Sequence, residues 1–405
     1  VHKLLKKLTL QRYTYFICHP IFALKLLEGM QIWPTFEWNS SAYLFLFFCF
    51  ISLAHLLFVV LVYGRLAFFK AKESKEEFRP ISVIIAARNE SDNLYENLPL
   101  ILQQDYPLFE VIVVNNQSVD DSMYLLSAYQ QQYPNLRVID VAKSKHLLPG
   151  KKLPITLGVK GAKYEHLLLT DADCKPSSNQ WIRQMSSNFG AEKEIVLGYA
   201  PYEKKKGFLN AIVRFDAAWI GVQYLSMALA GNPYMGVGRN LAYTKSLFER
   251  IRGFKSHYSL PSGDDDLFIQ QAAQNKNHAI CIHTDTYCFS PAPIDWSSYI
   301  RQKSRHYSAS EHYKVIKKAL LGIYPFTLLL LLISFVLLCI NTEFHWVSSG
   351  VFFSVIMLKW WIVGRCLSKL NEYRFAYTFL LWDIIFVVFT PLLYFTSERK
   401  DNKRW

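Results

Sequence analysis

Charge is scarce in this sequence. Asp, Glu, Lys and Arg make up 19% of it, below the ~25% usual in soluble domains. Acidic residues are the scarcer sign, 32 against 45 Lys and Arg, which leaves a net charge of +13. Cysteine is sparse as well, with seven residues in no paired framework. Cys281 and Cys288 flank His283 at a spacing that suits no common zinc site. These shortages exclude a disulfide-built mini-domain and a disordered, solvating chain, and they argue against an ordinary cytosolic enzyme. Reduced thiols in a cytoplasmic domain are the expectation.

Apolar residues fill the space, at 51% of the chain, and they are clustered. Tyr43–Gly64 and Ala319–Ile340 carry no formal charge. Trp346–Cys366 contains only Lys359 and Arg365, and Ala376–Thr396 only Asp383. About 20 apolar residues at a rise of about 1.5 Å cross a bilayer core, so four membrane helices are predicted. Lys359 and Asp383 fall at equal depth in antiparallel neighbours, which predicts that they pair. Basic residues flank the polar block at both ends: Lys70, Lys72 and Lys75, then Lys314, Lys317 and Lys318. That places the block in the cytoplasm. Four full spans would put the basic tail outside, against the same rule; a re-entrant or interfacial segment among the last two is the alternative. Most of the positive surplus lies at membrane edges, where anionic lipid attracts it, so no nucleic-acid partner is expected.

The chain divides accordingly into an N-terminal extension (1–42), a membrane helix (43–69), a cytoplasmic domain (70–318), a C-terminal bundle of about three helices (319–396) and a basic tail (397–405). Within the extension, residues 1–29 read either as upstream of a true start at Met30 or as a basic interfacial segment. The segment near 295–313 mixes Trp296, Tyr299, Ile300 and Tyr307 with Arg301, Lys303 and Arg305, a pattern that suits a helix lying on a membrane surface.

The polar block alternates strand and helix. Strands are predicted at Ile81–Ala87, Glu110–Val114, Leu136–Val141 and His166–Thr170. Helices are predicted at Ser91–Gln104, Ser122–Tyr133, Leu153–Lys163 and Ser177–Phe189. This is the pattern of βαβ units on a parallel sheet, an α/β fold whose ligands gather beyond the strand carboxyl ends. Three such ends carry polar groups: Ala87-Arg88-Asn89-Glu90, Asn115-Asn116-Gln117-Ser118 and Asp171-Ala172-Asp173. Two carboxylates separated by one residue can hold Mg²⁺ or Mn²⁺ against a diphosphate, or else cap a helix. Lys151, before the third helix, can reach a pyrophosphate as a point charge or sit in a solvated turn. Asp264-Asp265-Asp266 repel one another unless a cation or a helix N-terminus relieves them, and a carboxylate held there is a candidate general base.

Taken in order, Ser82–Glu90, Val111–Asp121, Lys151, Thr170–Asp173, Gly236–Asn240, Asp264 and Gln302-x-x-Arg305 resemble the motifs of membrane-bound family 2 glycosyltransferases, the group of cellulose and hyaluronan synthases and ceramide glucosyltransferases. The resemblance implies a GT-A nucleotide-sugar-binding domain with a Rossmann-like, mostly parallel sheet. It implies an inverting transfer from a nucleotide sugar to a membrane-associated lipid or glycan acceptor, at the cytoplasmic membrane. It assigns Asp173 to a divalent metal and Asp171 to the nucleoside side of the donor. Ala87, Arg88, Asn89, Glu90, Asn115, Lys151, Gln302 and Arg305 would also bind the donor. Gly238, Arg239, Asn240 and His306 would face the acceptor. Asp264 would be the base, with Asp265 as the alternative. Four positions depart from the pattern. Gly263 stands where Glu is usual, and His306 stands where Trp is usual. Asn115-Asn116 replaces Asp-Asp; an amide suits uracil, with one N–H donor between carbonyls, better than guanine, with two adjacent donors. A processive polysaccharide synthase and a non-catalytic nucleotide-sugar sensor are the competing readings.

Overall fold

Strand β1 (Ile81–Ala87) is buried at every residue, as a β-branched run covered on both sides must be. It sits near the middle of a seven-stranded sheet in the computed structural model, which describes residues 39–71, 78–142, 150–260, 262–274, 277–340 and 343–396. The expectations for residues 1–29 and for the 397–405 tail lie outside the described residues. β2 (Phe109–Asn116), β3 (Leu136–Val141) and β4 (His166–Asp171) are parallel to β1 in the order β3-β2-β1-β4. Helices α2 (Ser91–Leu102), α3 (Ser122–Gln132) and α4 (Lys152–Gly161) make the crossovers. α2 turns Leu94, Leu98, Ile101 and Leu102 inward, each buried to within 5% exposure. Such a side chain contributes about 1.5–3 kcal/mol by leaving water.

Beyond β4 the sheet becomes mixed. The two-residue β5 (Lys175–Pro176) pairs with β9 (Cys288–Phe289) outside the main sheet. β7 (Leu241–Thr244) is antiparallel to β4 and to β6 (Ile195–Gly198), and β8 (His278–Cys281) continues parallel to β6. The helix expected at Ser177–Phe189 is shorter: α5 spans Trp181–Ser186. Its expected first turn is held instead against the segment before β9: the Ser177 amide donates to the Tyr287 carbonyl at 2.8 Å, and the Ser177 and Ser178 hydroxyls donate to the Thr284 and Asp285 carbonyls. α6 (Phe208–Leu229), α7 (Lys245–Arg250), α8 (Asp266–Ala272) and α9 (Trp296–Ser310) complete the domain.

Among the described residues four helices are long and apolar enough to cross a bilayer: α1 (Ser40–Ala67), α10 (Val315–Ile340), α11 (His345–Lys369) and α12 (Tyr373–Phe395). The chain is a multi-pass membrane protein. Its contacts form two units. One joins the described residues up to Leu57 with Ile323–Lys359. In it Phe335 stacks on Phe352 at 3.9 Å and the His55 ring bonds the Thr327 hydroxyl at 2.9 Å. The other joins Phe58–Gly322 with the chain from Trp360 onward and contains the sheet.

Candidate active site

Register brings the strand ends together. Ala87 lies opposite Asn115 and Ala86 opposite Asp171, so β1, β2 and β4 release their following loops at one edge. Asp120 fixes two of those loops. One of its carboxylate oxygens accepts from the Ser91 amide at 3.0 Å and the other from the Ser122 amide at 3.1 Å. A single side chain thereby caps the starts of α2 and α3. Asn89 reinforces the link: its amide N–H donates to the Ser118 hydroxyl at 2.9 Å, and its side-chain oxygen accepts from the Val119 amide at 2.8 Å. Asn89 is left-handed at φ 55°, a conformation that asparagine tolerates better than most residues.

A cavity of about 680 Å³ opens beside this edge. Arg88, Glu90, Lys151, Asp171, Asp173, Asp264, Asp265, Gly238, Arg239, Gln302, Arg305 and His306 all line it. Sequence elements more than 200 residues apart, from Arg88 to Arg305, thus meet in one place. Lys151 Nζ lies 2.5 Å from Asp171 Oδ2. Burial opposes the lysine's charge, but Asp171, Asp264 and Asp173 outweigh it and hold the ammonium above its ordinary range. Burial, then the neighbouring Asp171, pushes Asp173 up. Carboxylate oxygens of Asp171 and Asp173 and the Cys174 sulfur lie within 4.8 Å of one another. Burial, then Asp173 and Asp171, pushes the Cys174 thiol well up, so it remains protonated and the two carboxylates are the hard donors.

The acid triplet divides by task. Asp265 caps α8; its oxygens accept from the Asp266 amide at 2.8 Å and the Gly238 amide at 3.1 Å. Asp266 is buried and accepts a hydrogen bond from the Tyr313 hydroxyl. Asp264 keeps its carboxylate on the cavity, and burial, then Asp265, pushes it up to about 6. Gly263 precedes it at φ +87°, and a Cβ there would stand 2.7 Å from a Leu267 methyl. The usual Glu does not fit this backbone. Arg239 stacks on Tyr202 at 4.5 Å and donates to the Ser290 hydroxyl, while Gln302 donates to the Tyr202 hydroxyl at 2.9 Å. Burial, then Arg305 and Lys303, pushes His306 well down, so it is a neutral imidazole.

Four expected residues lie off the cavity wall. Ala87 is wholly buried, and Asn89 serves the loop link. Asn115 is 3% exposed; its amide donates to Asp140 Oδ1 at 2.8 Å, and its own oxygen is buried without a hydrogen-bond partner. Asn240 is buried, accepting from the Trp181 indole at 3.0 Å and donating to the Tyr199 and Thr286 carbonyls. Sequence reasoning missed Asp216 and Tyr202, which also line the cavity. Asp216 is one of only two charges in the otherwise apolar stretch of α6, and that was its available signal.

Comparison with known proteins agrees with the fold. Residues 82–252 match the family model described as glycosyl transferase family 2. A poly-beta-1,6-N-acetyl-D-glucosamine synthase of Staphylococcus epidermidis is 26% identical over 102 residues, 25% of this chain and 24% of that protein. The match therefore spans about a quarter of that relative's length. The glycosyltransferase AglE of Haloferax volcanii is 27% identical over 223 residues, covering 53% of this chain and 68% of its own. A mannosyltransferase from Pyrobaculum calidifontis, solved with GDP-Man and Mn²⁺, superposes with a TM-score of 0.51 at 16% identity, over 81% of this chain and 99% of that one. Residues 82–252 thus form a recognisable family 2 glycosyltransferase domain within a mixed α/β, GT-A-like fold, and helices long and apolar enough to cross a membrane flank it in the chain.

Proposed function

We propose that this protein transfers a sugar, with inversion, from a uridine nucleotide sugar to a hydroxyl of a membrane lipid at the cytoplasmic face of the membrane. The observation that carries the reading is the single cavity that joins Lys151, Asp171 and Asp173 to Asp264 and extends to Thr390 of the membrane helix α12. The first three suit a diphosphate. Asp264 suits an acceptor hydroxyl, and Thr390 puts an apolar, lipid-level element on the same wall. Asn115 lies off the cavity wall with its amide on Asp140, so the uridine assignment rests on amides standing where acids are usual at positions 115 and 116, not on a contact to the base.

In the step proposed, Asp264 takes the proton of the acceptor hydroxyl. The oxygen bonds to the anomeric carbon as the carbon–oxygen bond to the nucleoside diphosphate breaks on the opposite face. Lys151 and Arg305 neutralise the departing diphosphate, the kind of electrostatic stabilisation that usually contributes most. Asp173 with Asp171 fits a divalent cation, Mg²⁺ or Mn²⁺, which when bound would supply further positive charge to the diphosphate. The Mn²⁺ of the solved mannosyltransferase supports that donor set. The same structure holds GDP-Man, so the base is the point to test.

The test is release of free nucleoside diphosphate from UDP- and GDP-sugars by purified protein in lipid with Mg²⁺ or Mn²⁺. Release from one UDP-sugar, lost in Asp264→Asn and Asp173→Asn, is expected. Release from GDP-sugars alone would overturn the uridine assignment, and release equal in wild type and both variants would overturn the site. Likeness to the staphylococcal synthases favours a second reading, a processive polymerase. Products carrying a ladder of sugars on one acceptor would establish that reading against single transfer.

A further inference from the structure

One part of the cavity wall, where α6 and α9 are joined by an ion pair, is not used by the diphosphate chemistry: Lys303 Nζ bonds Asp216 Oδ1 at 3.0 Å and Oδ2 at 2.9 Å. Both side chains are nearly buried, at 9% and 13% exposure. The Tyr299 hydroxyl donates to Asp216 Oδ2 at 3.2 Å, and the ammonium lies 5.4 Å from the Tyr307 ring centre. Trp219, Ile220 and Thr390 continue the wall with apolar or weakly polar surface.

Resting on the lipid-acceptor reading above, we propose that this pair is the acceptor subsite and that it selects an uncharged, hydroxyl-bearing lipid headgroup. The reason is charge bookkeeping within the cavity. The cavity wall carries five Lys and Arg side chains against seven Asp and Glu. Lys151 and Arg239 hold their charge beside Asp171 and Asp173, and Arg305 faces the diphosphate in the proposed step. Lys303 is cancelled by Asp216. A phosphorylated headgroup brought here would meet a buried carboxylate with no surplus cation to balance it, an arrangement that burial makes costly. A hydroxyl meets no such obstacle. Among the described residues two of the three N–H groups of Lys303 serve Asp216, which leaves one to donate, and Asp216 Oδ1 accepts only from Lys303. One spare donor beside one spare acceptor matches a hydroxyl, which is both. Asp216 and Lys303 are therefore specificity-determining residues, distinct from the proton-accepting Asp264.

The experiment offers the protein, in nanodiscs of zwitterionic lipid, either a neutral diacylglycerol or phosphatidylglycerol, whose anionic headgroup keeps free alcohol hydroxyls, and measures glycolipid formed. Binding of the nucleoside diphosphate is measured separately by calorimetry. Wild type is expected to glycosylate the neutral lipid at least tenfold faster than phosphatidylglycerol. Asp216→Asn, which leaves Lys303 uncancelled, is expected to lower the rate on neutral lipid at least tenfold and to make phosphatidylglycerol a tighter competitor. Nucleotide affinity is expected to stay within about twofold. If Asp216→Asn does not fold, the Asp216→Asn/Lys303→Gln double variant, which buries no lone charge, replaces it; it is expected to bind nucleotide and to lose the preference for neutral lipid. Equal use of phosphatidylglycerol and neutral lipid by wild type would overturn the proposal, as would an unchanged preference in the variants. Loss of nucleotide binding in wild type would instead count against the function proposed above.

Discussion

Asp264 governs the expected pH response. A base must be ionised to accept a proton, and burial beside Asp265 holds this carboxyl protonated up to about pH 6. The turnover rate should therefore rise tenfold per pH unit below about 6 and level off above it. Asp264→Asn should remove that limb together with at least 100-fold of the rate, the order expected for loss of a general base. A limb that survives in Asp264→Asn would assign it to another group. Gly263 gives a second prediction. Its φ of +87° and the nearby Leu267 methyl leave no room for a side chain. Gly263→Ala and Gly263→Glu should each lower the rate at least tenfold by displacing Asp264, with nucleotide affinity retained. An increase on restoring the family's usual Glu would mean that the loop can rebuild. At this scale the sequence was informative about charge and blind to direction. Asp171, Asp173, Lys151 and Asp264 stood out because acids and lysines at strand ends and helix starts are costly unless used. Asn240 looked equally polar, yet its amide is spent on Trp181, Tyr199 and Thr286 inside the core.

Elements were the most legible part of the molecule. Ile81–Ala87 and Leu136–Val141 fall on the predicted residues: the first is a continuous apolar run buried throughout, the second a half-exposed edge strand marked by Leu136, Val138, Ile139 and Val141. α2, α3 and α4 agree within about three residues at either end, since their apolar spacing repeats with the helical turn. What could not be read was pairing between segments far apart in sequence. The antiparallel insertion of β7 between β4 and β6 and the β5–β9 bridge depend on partners 44 or more residues away. So does the Lys303–Asp216 pair, 87 residues apart. Asn240 belongs to this scale through what it joins: the start of β7, α5 and the segments holding Tyr199 and Thr286. Asn240→Ala should cost about 2–4 kcal/mol, from three buried hydrogen bonds at roughly 1 kcal/mol each plus partners left unsatisfied. A melting temperature within 1–2 °C of wild type, on the order of a few tenths of a kcal/mol, would refute that estimate.

For the whole molecule, composition alone separated a polar domain from apolar helices, and four such helices are present among the described residues. Their number and length were legible because a bilayer demands unbroken apolar runs; which of their faces look inward was not. Thr390 shows why that matters. It lies on α12, which is long and apolar enough to span a membrane, and it is also part of the wall of the cavity that holds Asp264. The depth at which α12 rests in the bilayer then becomes a variable of the enzyme. A hydrocarbon layer thinner or thicker than this helix prefers is accommodated by tilt, at a modest cost per ångström. Tilt would carry Thr390 relative to the acid loop. Reconstitution in a series of phosphatidylcholines of increasing acyl length should give a turnover that peaks at one thickness, while affinity for the soluble nucleotide stays level. In this protein membrane thickness would act as an allosteric coordinate, tuning catalysis with no effector molecule at all.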